Sequence, residues 1–314
     1  MKLRAIVNDY IGLKQSMGMR FASDAVILKA FCKAAGDLDI ENVERDTVSA
    51  YLWGNSGTLT SFWHRKHDTL KGFYRYATGR GYANSSPVPT VVPKRPRTFS
   101  PYIYSAEEFD RLLRSTVLLE SRRYQVDSVT FRTLLLLLFN TGVRIGEAIS
   151  LVICDVSFAA DLLTIRSSKF YKTRLVPIHP RLSELLRRYT LQRSDYPGLS
   201  SEGPLFVKRD GSPLNHGSVE RVFRYLCQCC GIRRTDGARY QPRLHDIRHA
   251  FCVNRLLEWY RQGADVQRLL PHLSTYLGHR NIGATQQYLT MTPELLGHAN
   301  KRFEQYALAE VSHG

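Results

Sequence analysis

The sequence predicts a mainly α protein built from two domains: a helical bundle, then a mostly helical domain that carries one small antiparallel β-sheet. Three observations predict it. Apolar residues recur at helical spacing from residue 3 to residue 80. Five prolines between 83 and 101 then erase any helical period. Beyond them only DLLTIRSS and TRLVPIH read as strands, and the other long segments return to the helical period.

In the first domain, residues 1–82, Leu3, Ile6, Val7, Tyr10 and Ile11 mark one apolar face. Ala25, Leu28, Phe31 and Cys32 mark a second, and Val43, Val48, Tyr51 and Leu52 a third. A fourth helix over roughly 58–78 carries Leu59, Phe62, Trp63, Leu70, Phe73, Tyr74 and Ala77, with Lys66, Lys71, Arg75 and Arg80 interleaved, so the bundle is basic. The stretch ANSSPVPTVVPKRPRTFSP at 83–101 predicts an extended, solvated linker whose Lys94, Arg95 and Arg97 suit phosphate contact.

The second domain opens at SAEE, a capping box in which Ser105 and Glu108 satisfy backbone N–H groups reciprocally. A long apolar helix follows to about Asn140, then a turn at NTG and a helix from Val143 or Arg144. The two strand segments are joined by a loop containing Lys169 and Lys172. Helices are expected over 180–192, 216–230 and 243–262 and beyond 266, with Pro271 forcing a break.

Composition narrows the function. Hydrophobic content of 43% and charge of 23% are ordinary for a soluble globular chain. Lys+Arg 44 against Asp+Glu 28 gives a formal net charge of +16, which points to a polyanionic partner, nucleic acid before anionic membrane. The longest apolar run, LLLLLF at 134–139, is far shorter than the ~20 residues of a membrane span. The opening MKLRAIVNDY lacks the apolar core of a secretory signal, and the six cysteines are too few and irregular for a disulfide scaffold. A reducing cytoplasm is expected.

Three motifs carry candidate chemistry. In NTGVRIGEAISL, Arg144 stands in the first turn of a helix, where the dipole disfavours a cation. A bound phosphate would reverse that penalty; pairing with Glu147 three residues on is the alternative. RLHDIRHAF sets His245, Arg248 and, less well aligned, His249 on one helix face. Arginine forks onto two phosphate oxygens and histidine moves a proton near neutral pH, although a chance grouping on a basic helix is the rival reading. LGHRNIGATQQYLT places His279 nine positions before Tyr288. On one straight helix that separation turns the chain by roughly 900° and opposes the two rings. A break at Gly283 lets the tyrosine's segment start afresh near Ala284, so both rings can face one site. A core role is the plain alternative for Tyr288.

Together TGVRIGE, SSKFYKTRLVPIH, HDIRHAF and LGHRNIGATQQYL, in this order, resemble the tyrosine recombinase (phage integrase) family. The resemblance covers about residues 102–292, which it makes the catalytic domain; residues 1–82 resemble the family's core-binding (SAM-like) domain. It implies a site-specific DNA recombinase or integrase that works on double-stranded DNA as a tetramer on two sites, with accessory proteins allowed. The implied settings are integration, excision or transposition. No metal, ATP or other cofactor is implied. By the resemblance, Arg144 and Arg248 clamp the scissile phosphate, Tyr288 attacks it to form a 3′-phosphotyrosine, and Lys169 protonates the departing 5′-oxygen. His245 assists proton transfer, His279 hydrogen-bonds the phosphate, and Glu147 buttresses the arginine helix. Lys172 is the rival of Lys169, which sits nearer the hairpin tip. Arg248 and His279 stand 31 positions apart, longer than the compact bacterial form, with the surplus in EWYRQGADVQRLLPHLSTY. The tail at 293–314 is implied to dock on a neighbouring protomer, where its plain reading is a helix packed on its own domain.

Other readings remain open on sequence alone. Cys227, Cys229 and Cys230 lack a second ligand pair at finger spacing and fit an apolar helix stripe better than zinc. His245, Asp246 and His249 want more acidic neighbours to form a metal nuclease. A type IB topoisomerase shares the chemistry, and a DNA-binding regulator with unused catalytic residues is the third alternative.

Overall fold

The computed structural model describes residues 1–94 except 56, residues 101–291 except 122–123, 167–172, 194–199, 201, 239 and 280, and residues 294, 295 and 297. The chain divides into two compact units, Met1–Phe99 and Ser100–Gly314.

The first unit holds α1 (Leu3–Ser16), α2 (Ala22–Ala35), α3 (Arg45–Trp53) and α4 (Ser61–Gly79). Their apolar stripes meet in one core around Ile6, Leu28, Phe31, Val48, Leu70, Phe73 and Tyr74. Thr60 starts α4 by accepting a hydrogen bond from the Trp63 N–H at 3.1 Å, which satisfies one of the end's orphan donors. Not every base on α4 is free for phosphate. The Lys66 ammonium donates to the Tyr51 carbonyl at 2.7 Å, lies 4.5 Å from the Tyr51 ring centroid, and has its pKa lowered by burial. The segment after α4 also departs from the solvated linker expected there. Ala83 and Val88 are buried in the bundle core, and the His67 ring bonds the Pro89 carbonyl at 2.9 Å. These contacts hold the first residues of that segment on the bundle. Arg95 and Arg97 lie outside the described residues.

The second unit begins with α5 (Ala106–Ser115), whose Ser105–Glu108 capping box forms as expected. The single long helix expected to run on to Asn140 is instead two. After α5 comes a 3-10 turn, Thr116–Glu120, and Asp127 then caps a new helix, α6 (Ser128–Thr141), by accepting from the Thr130 N–H at 2.7 Å. Phe131, Leu134, Leu135, Leu137 and Leu138 on α6 are buried, so this helix is the axis of the unit's core. Packed against it are α8 (Pro180–Gln192) and α10 (Asp246–Arg261).

The sheet has three short antiparallel strands in the order β1 (Val156–Ser157), β2 (Leu162–Ile165) and β3 (Arg174–Pro177). Register follows the alternation: Leu163 faces Val176, both buried, and Ile165 faces Arg174. The loop with Lys169 and Lys172 lies outside the described residues. On α9 (His216–Cys229) Cys227 joins the buried stripe of Val219, Val222, Phe223 and Leu226, while Cys229 is exposed. Among the described residues no group of three His, Cys, Asp or Glu is placed to hold a metal ion, and no helix is long and apolar enough to cross a membrane.

The surplus between Arg248 and His279 is the second half of α10, a turn, and α11 (Val266–Leu277). Pro271 lies inside α11 and does not break it. Gln267 and Pro271 are both exposed, so the carbonyl left without its helical donor faces solvent. Most of the tail lies outside the described residues; Leu295 is buried beside α10 and α11 residues.

One glycine fixes how α6 meets α10. Gly142 ends α6 in the left-handed region, φ +60°, and an added Cβ would stand 2.4 Å from Phe251 Cδ1. Gly142→Ala therefore combines backbone strain with overpacking and is expected to cost on the order of 2–4 kcal/mol in a denaturant melt. An unchanged midpoint would contradict this packing.

Candidate active site

The site is assembled where three chain turns meet. The turn after α6 exposes the Gly142 carbonyl, and the end of α11 exposes those of Leu277 and Gly278, because carbonyls at a helix end lack intrahelical donors. Arg248, in the first turn of α10, fills both needs. Its Nη1 donates to Gly142 O at 2.7 Å and its Nη2 to Leu277 O at 2.8 Å, with only 4% of the residue exposed. Burial first, and then the nearby Arg144 charge, lower its pKa to about 10, so the guanidinium stays charged at neutral pH.

Arg144 is the N-cap of α7 (Ile145–Ile149). Its Nη2 donates to Gly278 O at 3.1 Å and its Nη1 to Glu147 Oε1 at 2.8 Å, while its backbone N–H donates to Glu147 Oε2 at 2.9 Å. The i+3 pairing weighed as the plain alternative is thus present, and it helps to aim Arg144 at the Gly278 turn. Sequence reasoning missed the partner that completes this arrangement. Arg174, at the start of β3, forks onto Glu147 through Nη1 at 3.0 Å and Nη2 at 2.8 Å, and its Nε donates to Tyr276 O at 2.9 Å. Burial alone would raise the Glu147 pKa; the hydrogen bonds from Arg174 and the Arg144 backbone outweigh it and hold the carboxyl at about 2.

The distance between His279 and Tyr288 in the sequence is resolved at a different glycine from the one expected. Gly283 is the first residue of a short helix, α12 (Gly283–Gln286), and the chain reverses at Gly278, which ends α11 with φ +66°. There is no room for a side chain at Gly278, since a Cβ would meet Arg174 Nη1 at 2.9 Å. A 3-10 turn, Gln287–Thr290, then carries Tyr288 back, so that its ring lies nearly parallel to that of His279 with centroids 6.2 Å apart. His279 Nδ1 bonds Thr285 Oγ1 at 2.7 Å. Its pKa is lowered to about 4 by burial first and then by Arg248 and Arg144.

Tyr288 is 2% exposed, so the plain reading of a core tyrosine also describes its burial. A core ring does not need polar company, yet the Tyr288 hydroxyl meets His249 Nδ1 at 3.1 Å. Burial, and then Cys252, raise its pKa above the usual phenol value. His245, just before α10, stacks edge-on against His249 with centroids 5.1 Å apart. The protein packed around it, and then Arg248 and Arg243, lower its pKa even though the residue is exposed at its surface.

Arg144, Arg248, His245, His279 and Tyr288 are thus brought together in one unit, with His249 and Arg174 added to them. His249 stood in the HDIRHAF motif and on the Arg248 helix face, but no role was assigned to it from sequence. Arg174 gave no sign, since one arginine in a short strand has no period. Lys169 and Lys172 lie outside the described residues.

A mainly helical frame thus brings two tethered arginines, three histidines and a tyrosine together in one unit. Comparison with known proteins gives the family: residues 108–301 match the phage integrase family model, and the chain belongs to that family, the tyrosine recombinases. It is 34% identical over 305 residues to integrase/recombinase y4rB of Sinorhizobium fredii, covering 96% of this chain and 97% of that one. Tyrosine recombinase XerC of Syntrophus aciditrophicus is 26% identical over 73% of this chain and 69% of its own. Among solved structures, the Tn1549 transposon integrase in complex with transposon right-end DNA aligns with TM-score 0.72 over 98% of this chain and all of its own, at 15% identity. A lambda integrase dimer bound to a core site aligns with TM-score 0.66 at 16% identity, covering 93% and 97%. These two likenesses are of fold.

Because the Glu147 pKa is depressed from 4.5 to about 2, its contribution is complete above about pH 4.5 and is lost as pH falls toward 2. Glu147→Gln is expected to lower stability by about 3 kcal/mol at pH 7 and to flatten the loss across that acid window. Denaturant melts at a series of pH values check both; parallel curves for the two proteins would refute the assignment.

Proposed function

We propose that this recombinase cuts and rejoins duplex DNA at specific sites through a covalent 3′-phosphotyrosine on Tyr288. The observation that carries the reading is the pair of guanidiniums: Arg144 and Arg248 are tethered to the carbonyls of Gly278 and Leu277, the residues just before His279 on the way to Tyr288. The tethers cost each arginine some donors, but a guanidinium has five, so each keeps N–H groups for a phosphate.

The chemistry then follows from charge. Tyr288 Oη bonds to phosphorus as the bond from phosphorus to the 5′-oxygen breaks. Negative charge gathers on the non-bridging oxygens, where Arg144, Arg248 and His279 donate; fixed donors in a water-poor site are worth most there. This electrostatic work requires no metal ion. His245 lies against His249 and is assigned to proton transfer. Lys169 is assigned to the departing 5′-oxygen on the family motif. The bond energy stays in the phosphotyrosine, so a 5′-hydroxyl can reverse the step and reseal a strand without ATP.

Relatives extend the reading to partners. Lambda integrase has been seen as a dimer on a core site and as a tetramer on a Holliday junction, and the Tn1549 integrase on transposon-end DNA. We assign this chain the same kind of partner, double-stranded recombination sites, with a tetramer on two sites. Residues 1–82 are assigned to DNA contact, 102–292 to catalysis and 293–314 to a neighbouring protomer. Integration, excision and transposition all fit the chemistry.

Incubation with a nicked suicide duplex should leave a covalent protein–DNA adduct on a denaturing gel. Tyr288→Phe should abolish the adduct while preserving binding, and Arg248→Ala should slow its formation by about 10²–10³-fold. An adduct that persists in Tyr288→Phe removes the nucleophile assignment. The net charge of +16 predicts DNA affinity that falls steeply with salt, measured by titration at several salt concentrations. A salt-insensitive affinity would contradict the charge argument.

A further inference from the structure

Attack by Tyr288 demands an acceptor for its proton. A phenol at its usual pKa of ~10 is ionised in about one molecule per thousand at pH 7, and burial makes this one rarer still. Each group around the hydroxyl can be judged by what it can accept. Arg144 and Arg248 are donors only. The Cys252 thiol, buried on α10 against Tyr288, has its pKa raised to about 12 by burial, so it is protonated and has no place for another proton at neutral pH. His279 turns a ring face toward the tyrosine, 16° from parallel, and its Nδ1 is engaged by Thr285. Among the described residues, the remaining side chain in contact is His249. Its Nδ1 lies 3.1 Å from Tyr288 Oη, within hydrogen-bond reach for proton transfer.

We propose that His249 is the proton acceptor of the cleavage step. As Tyr288 Oη bonds to phosphorus, the phenol proton passes to His249 Nδ1, and the bond to the 5′-oxygen breaks as that oxygen takes a proton from the general acid, the role assigned above to Lys169. In rejoining, the 5′-hydroxyl returns its proton to that acid as it attacks phosphorus, the phenolate leaves, and the imidazolium returns the proton to Oη. Each proton given up in one direction is recovered in the other, with no added reagent. This role requires the tautomer with hydrogen on Nε2, so that Nδ1 presents a lone pair to the hydroxyl.

The surroundings keep His249 ready to accept. It faces His245, Asp246 and Arg248 on its own helix, Arg243 before that helix, and Tyr288 on the turn packed against it. Burial first, then His245, lower its pKa to about 4, with Asp246 opposing and Arg243 and Arg248 reinforcing. The ring is therefore neutral throughout the range in which enzymes of this kind are assayed. A base this weak receives a proton only while the phenol is already bonding to phosphorus, which ties transfer to the chemical step. His249 touches the reacting oxygen and so counts as catalytic, in addition to the residues given roles above.

The inference rests on the phosphotyrosine reading, and one experiment separates them. Adduct formation is timed in single turnover on the suicide duplex from pH 6 to 9, using the full chain, His249→Asn and His249→Gln. Either amide can hold the phenol by a hydrogen bond but cannot take its proton; gel shift and thermal melting establish which of the two folds. The wild-type rate should be nearly flat with pH. The variant should be about 10²–10⁴-fold slower at pH 7 and gain about tenfold per pH unit, because hydroxide replaces the lost base. Replacing Tyr288 with a fluorinated tyrosine that ionises near neutrality should recover most of the variant's lost rate. A variant within about threefold of wild type, or one slowed by the same factor at every pH, would overturn the assignment and leave the Tyr288 reading standing. Wild-type protein that makes no adduct would remove both.

Discussion

Glu147 is the fixed point of the site. A carboxylate this deep in protein would be costly if alone, and it is tolerated because Arg174 forks onto it while Arg144 binds it through side chain and backbone. The consequence is geometric. One carboxylate ties the start of α7 to the start of β3, and Arg174 in turn reaches the Tyr276 carbonyl on α11. Three elements far apart in sequence are locked at one point, and Arg144 is locked with them. The small sheet has little core of its own, and its third strand carries Arg174 to this point.

Around that point, each charge is stationed by exposed carbonyls at helix ends. Arg248 closes the ends of α6 and α11, and Arg144 closes the Gly278 turn. Gly142 and Gly278 make this closeness feasible, since each leaves a space that Phe251 or Arg174 occupies. The histidines respond to the same concentration of positive charge. His249 and His279 are each pushed down to about 4, by burial first, and so act as neutral rings beside permanent cations. The contrast between arginine and histidine here follows from packing: the arginines keep their charge and the imidazoles are neutral.

Much of the fold was legible because it obeys local rules. The Ser105–Glu108 capping box and the helical stripes depend on residues within a few positions of one another, and the 162–177 hairpin pairs residues no more than 15 apart. Failures came where a local rule met a tertiary one. A new helix does begin at Gly283, as expected, but α11 has already ended at Gly278, whose left-handed backbone packs against Arg174. Pro271 is tolerated because its turn faces solvent. Val88 left the predicted linker for the bundle core. Of the site, the motif residues could be named from order alone. Arg174 could not, since its partner is 27 positions away, and neither could the contact of His249 with Tyr288 across 39.

The central claim is that the geometry converges on one oxygen, that of Tyr288. Its most direct test is to trap the adduct on a suicide duplex, digest it with protease and nuclease, and locate the attached nucleotide by mass spectrometry. The account predicts a single modified peptide containing Tyr288, joined through a 3′-phosphate. Attachment to any other residue, or through a 5′-phosphate, would contradict it.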